Sequence, residues 1–170
     1  MAILDIVKYP ETVLAEPTNP VENFGDELRQ LADDMVATMH AAPGIGLAAP
    51  QVGRSERICV VDLSVGETDD DLMVLVNPRV IEEEGTVRDE EGCLSFPDLM
   101  LVVPRPERVV VEAQDLEGNP LQIEGEELLA RCLHHEIDHL DGVLFIDRVS
   151  PLKRDLARRK IKRRIRADDW

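Results

Sequence analysis

The five residues His135-Glu136-Ile137-Asp138-His139 constrain this chain more than any other stretch of it. In a helix, residues four apart share a face, so both imidazoles can reach a single metal ion. Glu136 is turned by about 100° from His135 yet lies three residues before His139, so its carboxylate can approach the ion's open side without becoming a ligand. Taken alone, the same five residues also suit an ordinary solvated amphipathic helix. The decision therefore rests on a third ligand.

After His139 the chain has no further histidine, and the downstream candidates are Asp141, Asp147, Asp155, Asp168 and Asp169. Upstream, Cys93 lies in Glu91-Gly92-Cys93-Leu94-Ser95, a tight glycine-containing segment that could turn a thiolate toward the helix. That completes a His₂Cys set with a fourth position open, as catalytic sites require. The competing reading of Cys93 is a small buried hydrophobe, the usual fate of a free cysteine. A third segment, Gly44-Ile45-Gly46-Leu47-Ala48-Ala49-Pro50-Gln51, has the glycines that let backbone approach a ligand and, in Gln51, an amide donor for a developing oxyanion. By itself it could equally be a helix-to-strand connection.

The rest of the chain supplies a frame for these segments. Its 170 residues suit one domain able to bury its own core, and with 44% hydrophobic but 3% aromatic residues that core must be aliphatic. Leu28, Leu31, Ala32, Met35 and Met39 recur at helical spacing from Asp26 to Ala42, and Pro43-Gly44 ends the run. Short β-rich runs follow at 58–63, 72–76, 79–84, 108–113 and 121–123, with Asp115 to Asn119 as hairpin turn chemistry. A second helix is expected from near Glu126 to Asp141-Gly142, carrying the histidines. A third opens with Ser150 as N-cap and Pro151 at its first position.

Charge and cysteine usage narrow the setting. Cys59, Cys93 and Cys132 are an odd number without close pairing, and Cys59 in Ile58-Cys59-Val60-Val61 reads as core. The start, Met1 to Glu11, lacks the pattern of a secretory signal and no run is long enough to span a membrane, so a reducing cytoplasmic location is expected. Of 19 basic residues, nine lie between Lys153 and Arg166, leaving residues 1–152 with 10 basic and 32 acidic residues, near −22. Such a body argues against general DNA or RNA binding by the core. The acidic runs 69–71 and 82–84 read as solvated surface, and His40 as a favourable charge at a helix C-terminus with no further role.

The segments 44–51 (GIGLAAPQ), 91–95 (EGCLS) and 135–139 (HEIDH) together resemble the three signature motifs of the peptide deformylase family, in the family's order, and the likeness runs from Tyr9-Pro10 to about Val149. The resemblance implies an enzyme that removes the formyl group from the N-terminal formyl-methionine of new polypeptides and releases formate. It implies that Cys93, His135 and His139 hold the metal, that Glu136 carries the proton, and that the Gln51 side chain and the Leu94 backbone N–H stabilise the oxyanion. Ile45 and Gly46 would pair with an extended substrate, and Glu91, Leu128, Arg131 and Cys132 would lie at the methionine pocket. One departure is His134, where the family usually has Gln. It points about 100° away from the ligand His135, so it is not expected on the metal.

The fold expected is a single α+β domain in which antiparallel sheets flank the central histidine helix, leaving a groove where a peptide can add like a strand. Residues 1–150 would form the catalytic part, and 151–170 a basic C-terminal helix of the same domain. Ligand type alone suggests Zn²⁺, whereas the resemblance implies Fe²⁺ in the cell, with Ni²⁺, Co²⁺ or Zn²⁺ possible in a preparation. The basic helix is either a solvated surface or, by the resemblance, a contact with ribosomal RNA. Two other readings stand beside this one: a zinc endopeptidase using HExxH on internal amides, and a catalytically silent ribosome-binding relative.

Overall fold

A computed structural model describes residues 1–170. The elements run α1 (Asp26–Ala41), β1 (Gly46–Ala48), β2 (Ile58–Asp62), β3 (Leu72–Glu84), β4 (Val87–Cys93), β5 (Phe96–Arg105), β6 (Arg108–Gln114), β7 (Pro120–Glu126), α2 (Glu127–Leu140) and α3 (Pro151–Arg166). A five-stranded sheet has the order β1-β2-β3-β6-β7, with every pair antiparallel, and β4 and β5 form a separate antiparallel hairpin. The α+β architecture around a central helix is as the sequence leads one to expect.

The helix α2 is buried along all but its first three residues, from Ala130 to Leu140. Ala130, Leu133, Ile137 and Leu140 pack on Cys59 and Val61 of β2 and on Val109 and Val111 of β6. Each leucine, isoleucine and valine among them contributes on the order of 1.5–3 kcal/mol of transfer free energy. Burial therefore pins the helix by its apolar face, and the polar residues interleaved with that face are left to meet the β4–β5 hairpin. Cys59 is core, completely enclosed, and burial pushes its thiol pKa far up.

Two features depart from the sequence expectation. The runs 72–76 and 79–84 are one strand, β3, bent by a register shift between Val76 and Arg79. Pro78, which has no N–H to give to the ladder, sits at that bulge. The hairpin β4–β5 was not anticipated at all. Val87 to Cys93 holds three consecutive acidic residues and is mostly exposed, and Phe96 to Arg105 contains two prolines, so neither shows strand periodicity. What holds the hairpin is tertiary: Phe96, Leu99 and Val103 pack with Phe145, Ile146 and Val149, and with Ala157 and Ile161 of α3.

The helix α3 begins as expected, with the Ser150 hydroxyl accepting from the Lys153 N–H at 3.3 Å and Pro151 in the first turn. Its buried residues are Ala157 and Ile161, and its basic residues face outward or lie along its edges. The runs 69–71 and 82–84 are exposed. No helix is long and apolar enough to cross a membrane.

Candidate metal centre and active site

Cys93 is the last residue of β4, and Leu94-Ser95 form the two-residue turn that leads to Phe96, its partner across the hairpin. This turn delivers the thiol to α2. Cys93 Sγ lies 3.3 Å from His139 Nε2, which lies 3.1 Å from His135 Nε2, and all three donor atoms fall within 4.8 Å of one another. The spacing of the two histidines predicted their convergence; the hairpin supplies the third corner.

The donor set fits a metal ion on chemical grounds. His135 Nδ1 is 2.6 Å from Glu91 Oε2, an atom that only accepts, so Nδ1 carries the hydrogen and Nε2 presents its lone pair to the site. Arg105 Nη2, 3.3 Å from the same nitrogen, has a shorter, charge-assisted bond to Glu91 Oε2 at 2.7 Å. Burial and the neighbouring His135 and Arg105 hold His139 well below the usual histidine range, which leaves its ring nitrogen able to ligate. Two imidazole nitrogens and a sulfur this close repel as lone pairs unless a cation lies among them. The field is right for one: although burial opposes a charge on His135, Cys93 and Glu91 outweigh it and favour positive charge there.

Glu136 lies beside this centre, almost completely buried, and its Oε1 has no protein partner. Burial pushes its pKa up to about 7, with Glu91 and Asp138 adding to the effect and His135 and Arg105 opposing it. A carboxyl poised near neutrality can both take and release a proton. Its other oxygen rests against β1: a Cβ built on Gly46 would fall 2.5 Å from Glu136 Oε2 and 3.0 Å from Cys132 Sγ. Glycine at 46 is thus demanded by the close approach of the Glu136 carboxylate, not by a turn.

Gln51 is buried in the short 3-10 turn Ala49–Val52 that follows β1. Its Oε1 accepts from the Ala48 N–H at 3.0 Å, which fixes the amide so that Nε2 faces Ser95 Oγ at 3.2 Å and Cys93 Sγ at 3.7 Å. A cleft of about 420 Å³ opens above these groups. Eleven of the twelve residues that the sequence singled out line it; the twelfth, His139, lies behind the others at 1% exposure. Ile45, Leu94, Leu128 and Cys132 give the cleft apolar surface, with Leu128 half-exposed at its mouth. Glu91 and Arg131 line it as well, but their charged ends are already engaged. Arg131 donates to Glu91 Oε1 at 3.0 Å and to the carbonyls of Val103 and Val87.

Sequence reasoning missed the group that supports this centre. Arg105, fully enclosed, donates to Glu91 at 3.0 and 2.7 Å, to Asp138 Oδ2 at 2.5 Å and to His134 Nδ1 at 2.9 Å. Asp138 also accepts from Arg148 at 2.7 and 3.0 Å. Burial raises the Glu91 carboxyl, but His135 and Arg105 outweigh it and hold it far below the usual range, so it stays ionised. A signal existed: an arginine between two prolines after the apolar run Leu99 to Val103 is out of place unless buried with partners. His134 stands off the Cys93, His135 and His139 cluster. Its Nδ1 accepts from Arg105, so Nε2–H donates to Glu83 Oε1 at 3.1 Å, and burial with Arg105 and Arg148 nearby keeps it neutral against Asp138.

A helix and a hairpin that together bring His₂Cys donors to a buried carboxylate, inside an antiparallel α+β frame, define the class of a metal-dependent hydrolase. The family model for polypeptide deformylase matches residues 3–155. A peptide deformylase of Acidobacterium capsulatum is 55% identical over 170 residues, all of both chains, and one of Thermodesulfovibrio yellowstonii is 50% identical over 95% of this chain and 98% of its own. Among solved structures, a peptide deformylase from Legionella pneumophila superposes with a TM-score of 0.91 at 46% identity, covering 98% of each chain. The chain belongs to the peptide deformylase family. It is a metal-dependent hydrolase that removes the formyl group from the N-terminal formyl-methionine of nascent polypeptides, releasing formate. The endopeptidase and catalytically silent readings find no support in these likenesses.

Proposed function

We propose that deformylation is carried out by Cys93, His135 and His139 as metal ligands, Glu136 as proton carrier, and Gln51 with the Leu94 backbone N–H as oxyanion donors. The observation that carries this assignment is the convergence of three donor atoms within 4.8 Å beside a buried carboxylate. A divalent ion on those donors supplies Lewis acidity, which makes water nucleophilic near neutral pH and polarises the formyl carbonyl. Iron is the ion we favour in the cell, since availability rather than affinity commonly decides occupancy, with zinc, nickel or cobalt able to take the same donors.

Glu136 takes the proton of the attacking water and passes it to the departing amine, a double duty suited to its raised pKa. Gln51 Nε2 and the Leu94 N–H receive the negative charge that develops on the formyl oxygen. One such donor is worth roughly 3 to 4 kcal/mol of transition-state stabilisation. Ile45 and Gly46 offer backbone to an extended peptide, and Leu128 and Cys132 apolar surface to the methionine side chain. Glu91 and Arg131 close the pocket wall between them. A peptide deformylase from Synechococcus elongatus has been solved in complex with actinonin, and the same cleft is our candidate for inhibitors of that kind.

Residues 1–150 and the helix α3 act in this reading as one unit, working in the cytoplasm. The outward basic residues of α3 suit ribosomal RNA phosphates at a place where nascent chains emerge. The test of the site is anaerobic formate release from formyl-Met-Ala-Ser by the wild type and by Glu136→Gln, with metal analysis of both. The variant is expected to keep its metal and lose roughly 10²- to 10⁴-fold in kcat. A variant that kept both metal and rate would remove Glu136 from the mechanism.

A further inference from the structure

The carboxylate of Asp62, fully buried at the end of β2, gathers donors from two parts of the chain that are remote from the metal. Its Oδ1 accepts from the N–H and hydroxyl of Ser64 at 2.9 and 2.6 Å, and its Oδ2 from the Gly66 N–H at 3.0 Å. The fourth partner is His40 Nε2, at 2.7 Å, in the last turn of α1. A carboxylate only accepts, so His40 donates through Nε2. Gly66 has φ +88°, and a Cβ there would come within 3.3 Å of the His40 ring, so the imidazole is closed in from that side. Sequence pattern alone assigns His40 only to its helix terminus; its side chain instead turns to Asp62.

The backbone of Asp62 points the other way. Its N–H donates to the Ile45 carbonyl at 2.8 Å, and that carbonyl also meets Cys132 Sγ of α2 at 3.6 Å. Gly46, the next residue, pairs with Val61 and bears directly on Glu136 Oε2, where no room for a methyl exists. The segment from Ala42 to Gly44 joins α1 to β1, and its N–H groups return to Met39 and Thr38 of α1. The start of the strand that lies against Glu136 is therefore held twice, by the α1 terminus and by Asp62, and His40 links the two holds.

We propose that His40 and Asp62 are positioning residues for deformylation, setting the place of Ile45 and Gly46 against Glu136 and against the substrate backbone. The proposal rests on the reading above in which a peptide pairs with Ile45 and Gly46. Neither residue touches substrate or metal. Displacements of about 1 Å matter in such a frame, because misplacement on that scale can cost a reaction on the order of a hundredfold.

The test compares His40→Leu, which removes the donor, with His40→Gln, whose amide can still donate to Asp62. Leu31→Ala serves as control, since it opens the buried face of α1 without touching Asp62. KM and kcat for formyl-Met-Ala-Ser, metal retention against a chelator, and melting temperature are measured for each. His40→Leu is expected to raise KM about tenfold, equivalent to about 1.4 kcal/mol, with metal retention unchanged. His40→Gln returns KM to near the wild-type value, and Leu31→Ala lowers the melting temperature without moving KM. If His40→Leu does not fold, Asp62→Asn, which weakens the same node, is expected to raise KM in the same direction. Unchanged KM in His40→Leu, or a KM change matched by Leu31→Ala, overturns the proposal. A wild type that handles formyl-methionine amide as well as the tripeptide overturns the strand-pairing reading itself and the proposal with it.

Discussion

Glu136 works under two opposed demands, since burial that lifts its pKa to about 7 also requires backbone to come close enough to exclude water. Gly46 meets the second demand. Gly46→Ala would drive a methyl to 2.5 Å from Glu136 Oε2, and because the neighbour on that side is the base itself, the expected result is a fall in kcat/KM of at least about tenfold with metal content retained. The pH dependence follows from the same carboxyl. As a base it acts ionised, so kcat/KM rises with pH through its pKa, and positive charge at the metal centre draws that pKa down from about 7. A rate profile with an acid limb whose midpoint lies below about 7, absent in Glu136→Gln, is the expected measurement. At this scale the sequence was informative for Glu136, because its place relative to His135 and His139 is a matter of helical spacing. It was less so for Gly46, whose need for glycine comes from a residue 90 positions away.

The hairpin β4–β5 and the helix α2 are joined by charge more than by apolar contact. Glu91 and Asp138 are buried carboxylates that face Arg105, itself fully enclosed, and Arg131 and Arg148 add further bonds to them. Removing one partner of such a group leaves uncompensated charge in a dry place, at a cost of about 3–5 kcal/mol. Arg105→Leu is therefore expected to lower the melting temperature by roughly 6 to 20 °C for a chain of this size, and to speed metal loss as His135 is released from Glu91. Thermal unfolding and chelator kinetics read the two effects separately. A drop in stability with unaltered metal release would confine Arg105 to holding the hairpin. None of this was visible as strand periodicity, because β4 is acidic and β5 is interrupted by proline; its pairing is decided by Arg105 and by the aromatic side chains of Phe96 and Phe145, 4.8 Å apart.

Over the whole molecule, the formal charge of −16 conceals a strongly acidic body with nine basic residues concentrated between Lys153 and Arg166. Leu156, Arg159, Lys162, Arg163 and Arg166 line one side of α3, while Ala157 and Ile161 anchor the other. If that side meets RNA, replacing Arg159, Lys162, Arg163 and Arg166 by Glu is expected to abolish co-sedimentation with ribosomes and leave turnover of free formyl-Met-Ala-Ser within about twofold, since none of the four lies at the cleft. Wild-type binding should weaken steeply with added salt, as phosphate contacts do. Retained co-sedimentation in the reversed variant would make α3 a solvated helix packed on the hairpin and nothing more.

The sequence by itself determined the helix α2 and the placing of His135, Glu136 and His139 along it, because that follows from residues three and four apart on one continuous element. Cys93 and Gln51 could be named from their segments, and the family likeness gave them roles. Only the tertiary structure decided how they meet: that a two-residue turn carries Cys93 to 3.3 Å from His139, that Arg105 holds Glu91 against His135, and that His40 reaches Asp62. The physical reason is range. Helical periodicity is written locally, whereas a buried charge or a close backbone approach is set by partners tens of residues away, whose identity no local pattern records.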